Sequence, residues 1–191
     1  MATVPNGVLL LRGLGLRSFG IDLSTTATGL VALQASGGPQ PTLLGEWEIT
    51  APKLDGIARH KYIVTKVMTL LHQFEPDQIV VEGYSLNFKN AASVVPLCEI
   101  GGILRLMLVL DKLTWLDPSA GELKGFATGK GNSPKEIVML NVYKRWGFEA
   151  SSNNVADAYV LACMGLAKSN HLPGITKEMQ KIADKLTAKS N

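Results

Sequence analysis

The stretch FGIDLSTTATGLVAL, residues 19–33, places one carboxylate in an apolar run and follows it with hydroxyl residues and a glycine. Two strands joined by a short turn are the natural interpretation, with Asp22 near the end of the first strand. A strand that ends in this way presents an acid at the edge of a sheet. Asp is also a common turn residue, so on this stretch alone Asp22 is equally well explained as a turn cap.

Length and composition indicate a single soluble domain. The chain has 191 residues, of which 46% are hydrophobic and 18% charged, enough for one substantial core. We expect an N-terminal tail over residues 1–15, a main domain over 16–170 and a C-terminal extension over 171–191 with helical character. No apolar run approaches the roughly 20 residues that span a bilayer. The net charge is only +3, so affinity for nucleic acid would depend on where the basic residues lie.

Two observations point to the cytoplasm. The apolar residues 9–11 are not preceded by a positive segment, so they do not form a secretion signal. Cys98 and Cys163 show no metal-ligand spacing, and we expect both to be reduced core residues.

Hydrophobic periodicity and turn residues predict an alternation of strands and helices. Pro76 and Pro118 mark two of the breaks. The predicted strands are residues 17–23, 28–34, 42–49, 77–84 and 113–116, and the predicted helices are residues 56–74, 91–110, 135–146 and 152–167.

Two further acids occupy positions comparable to that of Asp22. Glu82 lies at the end of the fourth predicted strand, and Asp157 lies near the start of the last helix, where it would also complement the helix dipole. The order of elements is that of an α/β ribonuclease-H-like fold, with a five-stranded mixed sheet flanked by helices. In that fold strands one and four are neighbours, so Asp22 and Glu82 would lie side by side with Asp157 above them.

Three clustered carboxylates repel one another unless cations neutralise them, and hard divalent ions prefer such oxygen ligands. The cluster therefore predicts Mg²⁺ or Mn²⁺. Two ions about 4 Å apart would activate a water and stabilise the leaving oxygen of a phosphodiester. That chemistry belongs to a nuclease.

Residues 123–135 place Lys124, Lys130 and Lys135 among glycines and Ser133. This composition predicts a flexible loop that faces phosphates. The alternative is that these lysines are ordinary solvated surface residues.

The chain resembles the RuvC-like Holliday-junction resolvases, especially their phage-borne members, over roughly residues 18–168. The resemblance rests on GIDLS at 20–24 with TG at 28–29, VVE at 80–82, LK at 123–124 with TGKGN at 128–132 and Lys135, and ADA at 156–158. It implies a homodimer that cuts four-way junctions and other branched DNA by paired nicks, in a bacterial or phage-infected cell. It also implies that Asp22, Glu82 and Asp157 are metal ligands and that Lys124 and Lys135 contact junction phosphates.

Two departures from the family pattern are visible. Asn154 stands where family members usually carry an Asp or His, three residues before the last acid, and either Asn154 or Asn153 would have to replace that ligand. An amide oxygen can still coordinate a hard ion. The family also places an aromatic soon after the strand-four acid, whereas here Phe88 lies farther along, so its stacking on DNA and its burial in the core are equally open.

Three other functions fit parts of the sequence. The segment at residues 20–26 also looks like the first phosphate loop of actin-like ATPases and sugar kinases, but those folds need two such domains. A junction-binding protein that has lost cleavage would explain Asn154. A ribonuclease of the same fold, acting on RNA or on RNA–DNA hybrid, would use the same acids.

Overall fold

The computed structural model describes residues 15–84 and 91–190. The predicted N-terminal tail lies outside the described residues except for Gly15, and Phe88 lies outside them as well. The described elements are β1 (Arg17–Asp22), β2 (Thr28–Gln34), β3 (Thr42–Ile49), α1 (Gly56–Phe74), β4 (Gln78–Val81), α2 (Ala91–Leu110), α3 (Ala120–Thr128), α4 (Lys135–Trp146), α5 (Asn153–Lys168) and α6 (Lys177–Lys185). Among them, no helix is long and apolar enough to cross a membrane.

The strands form one mixed sheet in the order β3-β2-β1-β4. The strands β1, β2 and β3 form an antiparallel meander, whereas β4 returns through α1 to run parallel to β1. Strands one and four are therefore neighbours, as the element order predicts. The register aligns Asp22 with Gly29 on β2, and Gly29 in turn with Glu48 on β3.

The predicted fifth strand is reduced to two isolated bridges, so the prediction of a five-stranded sheet is wrong in its count. Leu116 pairs with Val80 in the parallel sense, and its N–H donates to Ile79 O at 2.8 Å. Trp115 pairs on its other side with Lys189 near the end of the chain. Asp117 and Pro118 follow at once, and Pro118 lacks the N–H that would extend the ladder.

Helices cover both faces of the sheet and form two cores. One core joins the odd-numbered side chains of β1, Phe19 and Ile21, to α1 and α2. The other packs α5 against the opposite face, where α3, α4 and α6 complete it. Because successive residues of a strand point to opposite faces of the sheet, Phe19 and Ile21 face α1 and α2, while Gly20 and Asp22 face α5.

The helix α5 lies unusually close to the sheet, and two glycines permit this approach. A Cβ atom on Gly20 would collide with the backbone carbonyl of Ala158, and one on Gly29 would collide with that of Asn154. Since α5 carries Asp157, these contacts fix the height of that acid above β1.

Two local predictions need correction. Residues 123–135 are not one loop, because Ser119 caps α3 in a complete capping box and the helix continues through Lys124 to Thr128. Only the turn at residues 129–134 separates α3 from α4. Cys163 is buried as expected, but Cys98 is exposed on α2.

Candidate active site

The three acids predicted from the sequence converge at one edge of the sheet. Asp22 is the last residue of β1 and is buried. Glu82 directly follows β4, and its N–H donates to Ile21 O at 3.0 Å, which holds it beside Asp22. Asp157 projects from α5 onto the same face and is also buried.

The structure does not support the two structural explanations for these acids. The turn after Asp22 is closed by other groups, because Ser24 N–H donates to Thr28 Oγ1 and Thr28 Oγ1 donates to Ser24 O at 2.7 Å. Asp157 lies beyond the first turn of α5, where the favourable effect of the helix dipole has largely decayed.

Burial and mutual repulsion raise the pKa values of two of the acids. The pKa of Asp22 lies well above its usual range because of burial first, then a side-chain hydrogen bond with Glu82 and the charges of Glu82 and Asp157. Burial and the charge of Glu82 raise the pKa of Asp157 to about 6. Such shifts are typical of carboxylates that await a cation or perform catalysis.

The acids do not yet form a finished ligand set. Within residues 15–84 and 91–190, no three His, Cys, Asp or Glu side chains stand at the spacing needed to hold a metal ion. The Asp22 and Glu82 side chains lie close enough to interact, and this interaction contributes to the raised pKa of Asp22. Binding a hard cation here would require the carboxylates to be deprotonated and turned toward the ion.

Two of the predicted phosphate-binding lysines stand close enough to the acids to affect their pKa values. The charge of Lys135, at the start of α4, partly lowers the pKa values of Asp22 and Asp157, and Lys124 on α3 acts on Asp157. Lys130 is exposed in the turn between α3 and α4. The lysines therefore come from two helices and a turn.

Asn154 lies one turn before Asp157 on α5, and its amide is held firmly. Its Nδ2 donates to Ala27 O at 2.8 Å and to Glu48 Oε1 at 3.2 Å. Glu48 also accepts a hydrogen bond from Ser152 Oγ at 2.6 Å. The Oδ1 atom of the neighbouring Asn153 is buried without a hydrogen-bond partner in the described structure.

Sequence reasoning missed three residues beside the acids. Glu48 is one of them, and it is placed by the pairing of β3 with β2, which aligns it with Gly29 and leaves no local signal in the sequence. Tyr84 and Arg105 are the others: the Arg105 guanidinium lies 4.3 Å from the centre of the Tyr84 ring, and Arg105 borders a small pocket next to Glu82. Arg105 could have been singled out as the one charged residue in the apolar run at residues 100–110.

Comparison with known proteins identifies the family. Residues 18–164 match the family described as crossover junction endodeoxyribonuclease RuvC. The chain belongs to the RuvC family.

The relatives are bacterial and are matched over most of their length. RuvC from Carboxydothermus hydrogenoformans is 30% identical over 161 residues, which cover 82% of this chain and 99% of that protein. RuvC from Chlamydia trachomatis is 29% identical over 149 residues, covering 75% of this chain and 86% of that protein. The structure of Thermus thermophilus RuvC superposes with a TM-score of 0.65 at 21% identity, over 82% of this chain and 98% of that one.

The comparisons confirm four predictions made from the sequence: the fold, the family, the enzyme and the class of cofactor. The RuvC-like fold is confirmed by the superposition, although the sheet has four strands. The family is the one that the motifs resemble, and the curated relatives are named as the predicted enzyme, a crossover junction endodeoxyribonuclease. Dependence on divalent metal ions is general in the RuvC family, in agreement with the predicted class of cofactor.

The raised pKa of Asp157 predicts that Asp157→Asn stabilises the metal-free protein at neutral pH. A raised carboxyl pKa contributes stability below the ordinary value of 3.8, and this contribution is lost as pH rises through about 6. At pH 7.5 in EDTA the variant should therefore gain roughly 2 to 3 kcal/mol in free energy of unfolding, since each pKa unit corresponds to about 1.4 kcal/mol. The gain should shrink towards pH 4.

Urea unfolding at the two pH values measures this difference. Glu149→Gln removes an exposed carboxylate and serves as the control, with no expected gain. A gain for Asp157→Asn that is the same at both pH values would contradict the assigned titration.

Proposed function

We propose that this protein is a metal-dependent, structure-selective endonuclease that cuts Holliday junctions and other branched DNA by paired nicks. The observation that carries the proposal is the convergence of Asp22, Glu82 and Asp157 at one sheet edge in a chain of the RuvC family. A related RuvC, from Thermus thermophilus, has been solved in complex with Holliday junction substrate, at 23% identity and a TM-score of 0.61 over 77% of this chain and 90% of that one.

We assign Asp22, Glu82 and Asp157 as ligands of two Mg²⁺ or Mn²⁺ ions, with Asn154 as a neutral fourth ligand. The donor set fits such ions, because every group offers oxygen and two of the carboxylates are buried with raised pKa values. When bound, the ions supply a Lewis acid for the scissile phosphate and an activated water.

The protein residues supply positioning and charge balance. Asp22 and Glu82 are carried by adjacent strands and Asp157 by a helix that packs directly on the sheet, so the backbone positions of the three acids are fixed. Cation binding would require the buried carboxyl groups of Asp22 and Asp157, whose pKa values are raised, to be deprotonated. In-line hydrolysis at this site would leave 5′-phosphate and 3′-hydroxyl ends.

We assign the DNA contacts to the basic surface beside the acids. Lys124 and Lys135 are close enough to the carboxylates to affect their titration, so a phosphate at the acids would also meet these lysines. Lys130 is exposed between them in the chain and is assigned to the same phosphate-binding surface. Phe88 stays a proposed stacking residue outside the described residues.

A homodimer would place two such sites on one junction. The exposed face of α2 carries Val95, Leu106 and Leu110, each more than half exposed. Beside it, α1 and α2 border an apolar groove that includes Met68 and Met107. Exposed apolar residues on one helix face of a soluble enzyme are typical of a subunit interface.

The bacterial relatives suggest the cytoplasm of a bacterial or phage-infected cell as the setting.

Asp22→Asn should abolish cleavage and preserve junction binding, because it removes a ligand charge but no DNA-facing cation. The assay combines a labelled four-way junction in Mg²⁺ or Mn²⁺ with a mobility shift in Ca²⁺. Duplex and RNA–DNA hybrid substrates are tested alongside. Cleavage by the variant at the native rate would show that the metal site is wrong, and preferential cutting of hybrid by the native protein would favour the ribonuclease alternative.

Lys124→Ala and Lys135→Ala should each weaken junction binding and reduce the slope of log affinity against log salt by about one, as expected for one lost phosphate contact. Lys66→Ala on α1 is the control, because α1 covers the other face of the sheet from α5. If both site variants bind like the control across the salt titration, these lysines are ordinary surface residues.

Leu106→Glu combined with Leu110→Glu should convert a dimer into a monomer in multi-angle light scattering, because buried carboxylates at an interface are strongly unfavourable. Leu140→Glu on α4 is the matched control, since Leu140 is also an exposed apolar residue. Dissociation by the control alone would move the interface to α4, and a native protein that is monomeric with and without junction DNA would refute the dimer.

A further inference from the structure

We infer that Glu48 on β3 is a positioning residue that supplies, through the amide of Asn154, the negative charge that the α5 ligand position lacks. The inference rests on the proposed metal site and adds to it a residue of β3. Glu48 belongs to none of the sequence motifs that identify the family, and its role follows from register and hydrogen bonding.

Sheet register places Glu48 on the side of the sheet that faces the acids. Glu48 pairs with Gly29 and Gly29 with Asp22, and directly paired residues of antiparallel strands project to the same face. Two strand spacings separate Glu48 from Asp22, about 10 Å between backbones. Gly29 has no side chain to fill the space between them, and the backbone of Asn154 lies directly above it.

Hydrogen bonds connect Glu48 to the ligand position. Both N–H groups of the Asn154 amide are used, one by Ala27 O at 2.8 Å and the other by Glu48 Oε1 at 3.2 Å. With both donors held, the orientation of the amide is fixed. Its Oδ1 accepts no hydrogen bond from the described residues and stays available as a ligand atom one turn before Asp157.

The chemical consequence is a partial replacement of the missing carboxylate. A carboxylate that accepts a hydrogen bond from an amide N–H polarises the amide, so the carbonyl oxygen gains negative charge and becomes a better ligand for a hard cation. Groups behind a metal ligand commonly change metal affinity by about 10-fold or more. Glu48 and Asn154 together would therefore act as one charged ligand divided between two side chains.

A purely structural role for Glu48 makes different predictions. Glu48 also accepts from Ser152 Oγ, the N-cap of α5, and so ties β3 to the start of that helix. If this tie were its whole role, Glu48→Gln would keep both hydrogen bonds through its carbonyl oxygen and leave metal affinity unchanged.

The test measures Mn²⁺ affinity of the full chain by electron paramagnetic resonance of the free ion, without DNA or turnover. We expect Glu48→Gln to weaken binding by about 10-fold. Glu46→Gln, an equal change of charge two residues earlier on the same strand, should change it less than twofold. Glu48→Gln made in an Asn154→Ala background should cause no further loss, because the effect passes through Asn154.

A relocated charge gives the second arm of the test. Asn154→Asp combined with Glu48→Gln moves the carboxylate to the ligand position and provides an amide donor behind it, so this double variant should bind Mn²⁺ at least as tightly as the native protein. Native affinity in Glu48→Gln, or an equal loss in the Asn154→Ala background, overturns the inference. Asp22→Asn distinguishes failure of the metal site from failure of the Glu48 inference. If Asp22→Asn binds Mn²⁺ like the native protein, both the metal site and the inference are wrong. If Asp22→Asn loses Mn²⁺ binding while Glu48→Gln keeps native affinity, only the inference is wrong.

Discussion

The structure depends on the direct contact between α5 and the sheet at Gly20 and Gly29. Because neither glycine carries a Cβ atom, the helix backbone touches the strands, and Asp157 reaches the row of acids at the end of β1 and β4. A larger residue at either position would lift the helix and the acid together. The same contact removes water from Asp22 and Asp157, which is the main reason that their pKa values are raised. The close packing of α5 on the sheet therefore explains both the position of Asp157 and the raised pKa values of the two acids.

The clustering of the three acids destabilises the metal-free protein. Three carboxylates share one sheet edge, two of them buried, and the charges of Lys124 and Lys135 offset the repulsion only in part. Burial and this repulsion together raise the pKa values of Asp22 and Asp157. Local instability of this kind is expected where a site is built for a charged ligand, because stability at the site is exchanged for affinity.

Much of the fold and most of the site could be predicted from the sequence because their signals are local. The acids stand at strand ends or near a helix start, and α1 and the first four strands follow directly from periodicity and turn residues. The prediction of a fifth strand failed because the apolar run at residues 113–116 shows β propensity but cannot show that its pairing stops at Pro118. Lys124 was placed in a loop because the glycines around it hid the capping box that begins at Ser119.

Glu48 was missed for a different reason, which concerns long-range pairing. The position of Glu48 near Asn154 depends on the pairing of β3 with β2 and on the packing of α5 against Gly29. The residues around position 48 predict neither contact. The sequence does show a departure at Asn154, a neutral amide where the family usually carries a charge or an imidazole. In the structure, a negative charge lies next to this amide, because the Glu48 carboxylate on β3 accepts a hydrogen bond from Asn154 Nδ2. Loss of a ligand charge at one position therefore need not mean loss of function when the fold holds another carboxylate in contact with the ligand.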